Sequence, residues 1–304
     1  MALDETDTRS CVTLHVLSAF ADGTDGGNPA GVVLDAEHLS ETQMQAIATE
    51  ATLSETAFAS PAPDGGFRLD FFTPNRRIAD CGHATVAAFA LLHEFGRVGV
   101  GETTKEIVDG RRTVTIAPDG AIFMGMRAPR YETVDEWIGV GPDEVLAALA
   151  LGRDQLDPRV VPVLADAGGP FVTLALRSRD DLAAIVPDQA ELLRISDILD
   201  LTGFYAYVLD PAPGRAAAAR MFAPRYGIPE ESATGMAAGA LGAVLHDFAG
   251  RKGPVFLIEQ GRDMTPPSPS VLEVHLAVTD GRVSGITAGG RGVLRAARCI
   301  QFQS

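Results

Sequence analysis

Two long apolar segments of similar sequence constrain the fold more than any other feature of the chain. The first covers residues 81–96 and reads CGHATVAAFALLHEFG; the second covers residues 234–250 and reads TGMAAGALGAVLHDFAG. Each is apolar on every side, so as a helix it must be buried all round and not only on one face. When the two are aligned, both end in His-acid-Phe, with His93 opposite His246. The sequence therefore predicts two related halves, each with a central helix, and the two histidines are interpreted as C-terminal caps.

Matching elements flank the two segments. A strand, an amphipathic helix and a second strand precede each segment, and a strand pair closed by an Asp-Gly turn, a strong hairpin signal, follows it. These elements are predicted at residues 30–35, 40–50 and 55–60 with Asp119-Gly120 in the first half, and at residues 171–176, 188–193 and 203–209 with Asp280-Gly281 in the second. A repeat of this length indicates two homologous domains and not a solenoid array.

The need to cover an apolar helix on all sides decides the predicted fold class. We expect an α+β protein in which each domain is a curved, mostly antiparallel sheet wrapped around its central helix. The first domain is predicted over residues 1–127 and the second over residues 128–291, with a linker near residues 127–132, where Ala-Pro-Arg-Tyr-Glu breaks the strand pattern.

Charge and composition disfavour several classes of function. The formal net charge of the 304 residues is −15, which disfavours nucleic acid as a partner. No stretch approaches the roughly eighteen uninterrupted apolar residues of a membrane span. Residues 1–7 lack the layout of a secretory signal, and the three cysteines are odd in number and far apart, so no disulfide framework is expected. We therefore expect a cytoplasmic protein.

The sequence contains no motif for a bound cofactor. It has no phosphate loop, dinucleotide fingerprint, metal-ligand spacing or Gly-x-Ser-x-Gly elbow. We expect no cofactor and no metal, so the chemistry must come from side chains and backbone. The starts of the two central helices, with their unpaired N–H groups, are suited to hold a carboxylate or an enolate-like anion. If the halves are related by a pseudo-twofold axis, these two starts face each other across a cleft.

Glu55 is the leading candidate for a proton carrier. Strand alternation places it on the same face as Leu53 and Ala57. A carboxylate on an apolar face loses hydration, so its pKa is predicted to rise toward neutrality, which suits a general acid or base. The alternative is a strand-end carboxylate that reaches sideways to solvent or to an arginine.

Four further residues near the helix starts carry open alternatives. His83, in the first turn of the first helix, is either a catalytic group or a capping or core histidine. Cys81 lies at the same helix start, where a thiol is activated, but the matching positions Ser232 and Thr234 offer no second thiol for a two-base racemase. Glu230-Glu231 precede the second helix. The helix dipole explains one acidic residue at this position, and the other is predicted to have a functional role.

These residues belong to motifs that resemble the PhzF-like family of phenazine biosynthesis in order and spacing, over nearly the whole chain. The motifs are Gly27-Asn28-Pro29-Ala30-Gly31, Ser54-Glu55-Thr56-Ala57-Phe58, Phe72-Thr73-Pro74 with Cys81-Gly82-His83-Ala84-Thr85, Met221-Phe222-Ala223-Pro224, Gly227-Ile228-Pro229-Glu230-Glu231 with Ala233-Thr234-Gly235, and Glu259-Gln260-Gly261.

The resemblance implies a diaminopimelate-epimerase-like fold, in which the C-terminal segment 292–304 returns to complete the first domain, and a homodimer. It also implies a cofactor-independent isomerase that moves a proton within a small unsaturated, amino-acid-derived carboxylate. By the same resemblance Glu55 carries the proton, and His83 and Glu231 orient or assist. The substrate-binding residues expected on this basis are Asn28, Cys81, Gly82, Thr234, Gly235 and Met236.

Two departures from the family pattern bear on the substrate. Glu231 stands where the family usually has Asp, and Met236 replaces a serine, so the phenazine substrate itself is not predicted. Two other functions remain open at this point: a racemase or epimerase that uses Cys81, and a non-catalytic relative that binds a metabolite.

Overall fold

A computed structural model describes residues 9–303, and these residues divide into two compact units. The first unit comprises the chain up to Ala19, Pro29–Ile122 and the segment from Arg291 onward; the second comprises Phe20–Asn28 and Phe123–Gly290. Residues 20–28, which lie within the first domain as predicted from the sequence, thus pack in the second unit. Residues 1–7, on which the signal-peptide expectation rests, lie outside the described residues.

Residues 9–303 contain six α-helices and eighteen strands, labelled in chain order. The helices are α1 (Glu41–Ala51), α2 (Gly82–Glu94), α3 (Pro142–Ala148), α4 (Arg179–Ala183), α5 (Gln189–Ile198) and α6 (Gly235–Asp247). The strands are β1 (Arg9–Ala19), β2 (Asn28–Leu34), β3 (Thr56–Pro61), β4 (Phe67–Phe72), β5 (Arg77–Ile78), β6 (Gly101–Ile107), β7 (Gly110–Ile116), β8 (Ile122–Met126), β9 (Arg130–Thr133), β10 (Val163–Asp166), β11 (Pro170–Leu176), β12 (Gly203–Leu209), β13 (Ala217–Ala223), β14 (Ile228–Glu231), β15 (Val255–Gln260), β16 (Ser270–Thr279), β17 (Arg282–Gly290) and β18 (Gly292–Gln303).

In the first unit the apolar helix α2 packs against β1, β3 and β18, and every residue from His83 to Leu92 is buried. Ser40 is the N-cap residue of helix α1, and its hydroxyl and backbone form a capping box with Gln43. The helix connects the parallel pair β2 and β3, and it buries Met44 and Ile47 in the core of the unit. Strand β18 pairs antiparallel with β1 along its length.

In the second unit α6 packs against β10, β11, β16 and β17. Its small residues let the sheet approach closely: a Cβ added at Gly242 would lie 2.6 Å from Cγ1 of Val274. The turn between β16 and β17 consists of Asp280 and Gly281, both with positive φ (51° and 78°), as a two-residue hairpin of the predicted kind requires.

The predicted fold class is confirmed. Each unit has an apolar helix packed on a sheet whose strand pairs are mostly antiparallel, and α2 and α6 lie within a few residues of their predicted bounds. No helix in the described part of the chain is long and apolar enough to cross a membrane.

Two local predictions are wrong. Cys11 and Cys299 form a disulfide, because the antiparallel pairing of β1 with β18 brings these sequence-distant residues to a Cα–Cα distance of 5.8 Å. His246 does not cap α6, since its Nδ1 lies 2.8 Å from the carboxylate of Asp247. His93, in the last turn of α2, has Nδ1 3.0 Å from the carbonyl oxygen of Val98, just beyond the helix.

Candidate active site

The first unit brings three of the predicted site residues together at the start of α2. Glu55 directly precedes β3, Cys81 is the N-cap residue of α2, and His83 lies in its first turn. Nε2 of His83 is 3.1 Å from Oε2 of Glu55, and its Nδ1 is 3.5 Å from Sγ of Cys81. The imidazole ring is therefore in contact with both the carboxylate and the thiol.

Glu55 is held in place through its backbone, and one of its carboxylate oxygens has no hydrogen-bond partner in the described chain. Its carbonyl oxygen accepts a hydrogen bond of 2.9 Å from the N–H of Gly31 in β2. The side chain is 14% exposed, and Oε2 is buried without a hydrogen-bond partner among residues 9–303. The contact of 3.1 Å with Nε2 of His83 has the length of an ion pair.

The pKa of Glu55 lies below its ordinary value, which corrects the prediction of a raised pKa. Burial is the largest influence and raises the pKa, but the contact with the His83 imidazole and a hydrogen bond involving Ser54 together lower it by more. Strand alternation in the sequence indicates that Glu55 is buried, but it does not indicate that His83 contacts the carboxylate. Glu55 is accordingly ionised at neutral pH and begins as a base.

A buried lysine holds the first turn of α2. Lys105 in β6 is 2% exposed, and its ammonium group contacts the carboxylate of Asp80 and donates to the hydroxyl of Thr85 at 3.1 Å. Asp80 accepts the N–H of Cys81 at 2.8 Å, and the Thr85 hydroxyl donates to the carbonyl of Cys81 at 2.7 Å. The sequence does not predict this role of Lys105, because a lysine in a polar strand is usually exposed to solvent.

A second cluster, within the second unit, surrounds Glu231. Nδ2 of Asn28 donates to Oε1 of Glu231 at 2.9 Å and to the carbonyl oxygen of Ala233 at 3.0 Å. The hydroxyl of Thr234 donates to Oε2 of Glu231. Three predicted site residues thus lie together, and both carboxylate oxygens of Glu231 accept hydrogen bonds.

Two buried side chains, those of Gln260 and Tyr205, hold this cluster in place through hydrogen bonds. Nε2 of Gln260 donates to the carbonyl oxygen of Glu231 at 2.7 Å and to the hydroxyl of Thr234 at 3.2 Å. Its Oε1 accepts the hydroxyl of Tyr205 at 2.8 Å and the N–H of Thr234 at 3.2 Å. The sequence offered Gln260 only as part of a motif. It gave no sign of Tyr205, which lies on an apolar strand.

The neighbouring acid, Glu230, has a different role. Its carboxylate binds Arg220 through two hydrogen bonds of 2.7 and 2.8 Å. The same guanidinium donates to the carbonyl oxygens of Leu182 and Ile185, so Glu230 neutralises a buried cation. This leaves Glu231 as the acid available to the site.

The remaining predicted residues lie at the two helix starts. Gly82 and Gly235 are the first residues of α2 and α6, and neither N-cap residue, Cys81 or Thr234, makes a side-chain capping hydrogen bond within the described chain. Met236 is 42% exposed, and a Cβ added at Gly169 would lie 2.7 Å from its Sδ. The substrate-binding roles of these residues stay predictions.

Comparison with known proteins gives a consistent family assignment. The family model described as phenazine biosynthesis-like protein (PhzC-PhzF) matches residues 17–297. The chain is 32% identical over 288 residues to the uncharacterized isomerase YddE of Escherichia coli K12, covering 92% of this chain and 95% of that protein. It is 31% identical over 291 residues to the trans-2,3-dihydro-3-hydroxyanthranilate isomerase of Pseudomonas aeruginosa, covering 91% and 95%.

A solved structure of the same family has the same fold. The PhzF-family phenazine biosynthesis protein of Bacillus anthracis superposes with a TM-score of 0.85 at 23% identity, covering 96% of this chain and 99% of that one. The resemblance inferred from the motifs is thereby confirmed. The chain belongs to the phenazine biosynthesis-like (PhzF) family and is one of its isomerases.

Proposed function

We propose that this protein moves a proton within a small unsaturated, amino-acid-derived acid without a cofactor, with Glu55 as the general acid/base. The observation that carries the proposal is the pairing of Glu55 with His83: Oε2 of Glu55 is a buried carboxylate oxygen 3.1 Å from the imidazole and has no hydrogen-bond partner in the described chain. A general base needs a free lone pair in a site of restricted hydration, and this oxygen has one.

The proton balance of the proposed step needs no other reagent. Glu55 starts as a carboxylate, takes a proton from a carbon of the substrate, and the electron pair of the broken C–H bond delocalises into the conjugated acid. The protonated Glu55 then returns the proton to another carbon. This return leaves Glu55 as a carboxylate again, the form that His83 favours.

Glu231 is assigned an orienting role and not that of a second proton carrier. Both of its oxygens accept hydrogen bonds, from Asn28 and Thr234, and these bonds fix the orientation of the carboxylate. The N–H groups at the helix starts would hold the carboxylate of the substrate. The proposal includes a homodimer in the cytoplasm that has no nucleic-acid or membrane partner.

A racemase or epimerase that uses Cys81 is the second candidate, favoured by the 3.5 Å contact between its thiol and His83. Within residues 9–303 Cys81 is the one free cysteine, because the other two are joined in a disulfide. A mechanism with two thiols is therefore excluded, and Cys81 would need Glu55 as the second base. Thiol alkylation would stop this reaction, whereas Cys81→Ala would have a mild effect if Glu55 is the carrier.

Deuterium uptake from heavy water tests the proposed function across a whole class of candidate substrates. A panel of amino-acid-derived unsaturated acids is incubated with the enzyme in D2O and followed by NMR. The proposal predicts that at least one acid gains solvent deuterium at carbon, with wild-type enzyme and not with Glu55→Gln. A non-catalytic relative that only binds a metabolite would produce no deuterium uptake with any acid in the panel.

A further inference from the structure

The first cluster also contains the donor atoms of a metal site. Glu55, Cys81 and His83 each offer one ligand atom, and these atoms all lie within 4.8 Å of one another. They supply a carboxylate, a thiolate and an imidazole, which are the three kinds of ligand that Zn²⁺ takes from proteins. The sequence shows no metal motif here because Glu55 is far from the other two along the chain.

Two of the three distances in the cluster are close to those of a tetrahedral site. Zn–S and Zn–N or Zn–O bonds of ordinary length place neighbouring ligand atoms about 3.3–3.6 Å apart. Nε2 of His83 lies 3.1 Å from Oε2 of Glu55 and 4.0 Å from Sγ of Cys81. Both distances from Nε2 are thus within about half an ångström of tetrahedral values, and the third distance, between the ligand atoms of Glu55 and Cys81, is at most 4.8 Å.

Two of the ligands are positioned before any ion arrives. The first turn of α2, which carries Cys81 and His83, is held by the Asp80 and Thr85 hydrogen bonds and by buried Lys105. Oε2 of Glu55, buried and without a hydrogen-bond partner in the described chain, is a ready ligand atom. A site that is already ordered binds an ion without the cost of ordering its ligands.

We propose that Glu55, Cys81 and His83 form a three-ligand Zn²⁺ site with an open fourth position, and that Zn²⁺ bound there inhibits the enzyme. The binding part of the proposal is independent of the proposed function. The inhibition part rests on that function, because the ion would occupy the carboxylate assigned to proton transfer.

The test measures binding directly on the metal-free full chain, in the absence of reductant so that the Cys11–Cys299 disulfide stays closed. Equilibrium dialysis against Zn²⁺ is expected to give one ion per chain. Co²⁺, used as a spectroscopic substitute, is expected to give thiolate-to-metal charge-transfer absorption, because Cys81 is the free thiol of residues 9–303.

Two variants and a control localise the site. Cys81→Ser should abolish the charge-transfer band and weaken Zn²⁺ binding by about tenfold or more, and Glu55→Gln should weaken binding to a similar degree while it keeps the band. His275→Asn removes a half-buried imidazole that contacts Glu273 at 2.5 Å, and it should bind like wild type. Circular dichroism checks that each variant is folded.

The binding proposal is overturned if wild type shows no saturable Zn²⁺ binding, or if both site variants bind as wild type does. Inhibition is measured separately, by solvent deuterium exchange with added Zn²⁺ and its reversal by a chelator. If Zn²⁺ binds at the site and the exchange continues unchanged, the inhibition part is wrong. If no acid in the panel exchanges even without metal, the proposed function fails while the binding result stands.

Discussion

Nε2 of His83 lies 3.1 Å from Oε2 of Glu55, and within residues 9–303 that oxygen accepts no hydrogen bond. The imidazole lowers the pKa of the Glu55 carboxyl group. Burial alone would raise the pKa of Glu55, whereas the imidazole, together with a hydrogen bond involving Ser54, favours the carboxylate strongly enough to reverse this effect. The pair therefore presents a base with a free lone pair.

His83→Asn is expected to move the acid limb of the kcat/KM profile to higher pH. The substitution removes the imidazole that lowers the pKa of Glu55 and leaves burial, which raises it. In wild type the lowered pKa stabilises the fold above the pKa of the unfolded chain. This contribution is lost as the pH falls through the lower, folded pKa. His275→Asn is the control, and an unmoved acid limb in His83→Asn would contradict the account.

Glu231→Gln and Glu230→Gln are expected to separate catalysis from stability. Glu230→Gln weakens the ion pair with buried Arg220 and should lower the free energy of unfolding by about 1–3 kcal/mol. Glu231→Gln should instead lower kcat with a smaller loss of stability, because an amide oxygen can still accept the hydrogen bonds from Asn28 and Thr234. Urea unfolding and steady-state kinetics of both variants test this, and the reverse pattern would reject the assignment.

Tyr205→Phe is expected to cost about 1 kcal/mol of unfolding free energy, because it removes a buried hydrogen bond to Gln260. Tyr207 on the same strand is the matched control. Its hydroxyl is also buried but has no hydrogen-bond partner in the described part of the chain, so Tyr207→Phe should be neutral or stabilising. If urea unfolding shows the same decrease in unfolding free energy for both variants, the Tyr205–Gln260 hydrogen bond does not contribute to stability.

Asp80→Asn is expected to destabilise the protein by about 1–3 kcal/mol, because it leaves the buried ammonium group of Lys105 beside a neutral amide. Asp64→Asn is the control: Asp64 is 81% exposed and contacts Arg111 at 3.5 Å, and its loss should change stability by less than about 0.5 kcal/mol. A thermal or urea transition for Asp80→Asn that matches the control would mean that Lys105 is not held by this ion pair.

The sequence predicts features that depend on local pattern. The helices α2 and α6 follow from apolar runs that no surface helix tolerates, and the turn at Asp280-Gly281 follows from its residue types. The motif resemblance selected Glu55, Cys81 and His83, which the structure brings together. Their catalytic and binding roles stay predictions.

The features missed from the sequence depend on long-range packing. The pairing of β1 with β18 joins Cys11 to Cys299, and no local pattern indicates which distant strands will meet. The sign of the Glu55 pKa shift depends on a histidine in another element. Tyr205 looks like an ordinary apolar strand residue until its hydroxyl is seen to contact Gln260.

The most direct test of the central claim is the solvent deuterium exchange rate of Glu55→Gln with an acid that wild type turns over. The amide keeps the shape of the side chain but cannot carry the proton, so exchange should fall about 10²- to 10⁴-fold while a substrate analogue still binds. Glu50→Gln, a change at an exposed residue of α1, is the matched control and should retain the wild-type rate. Exchange by Glu55→Gln at a rate close to that of wild type would contradict the assignment of Glu55 as the proton carrier.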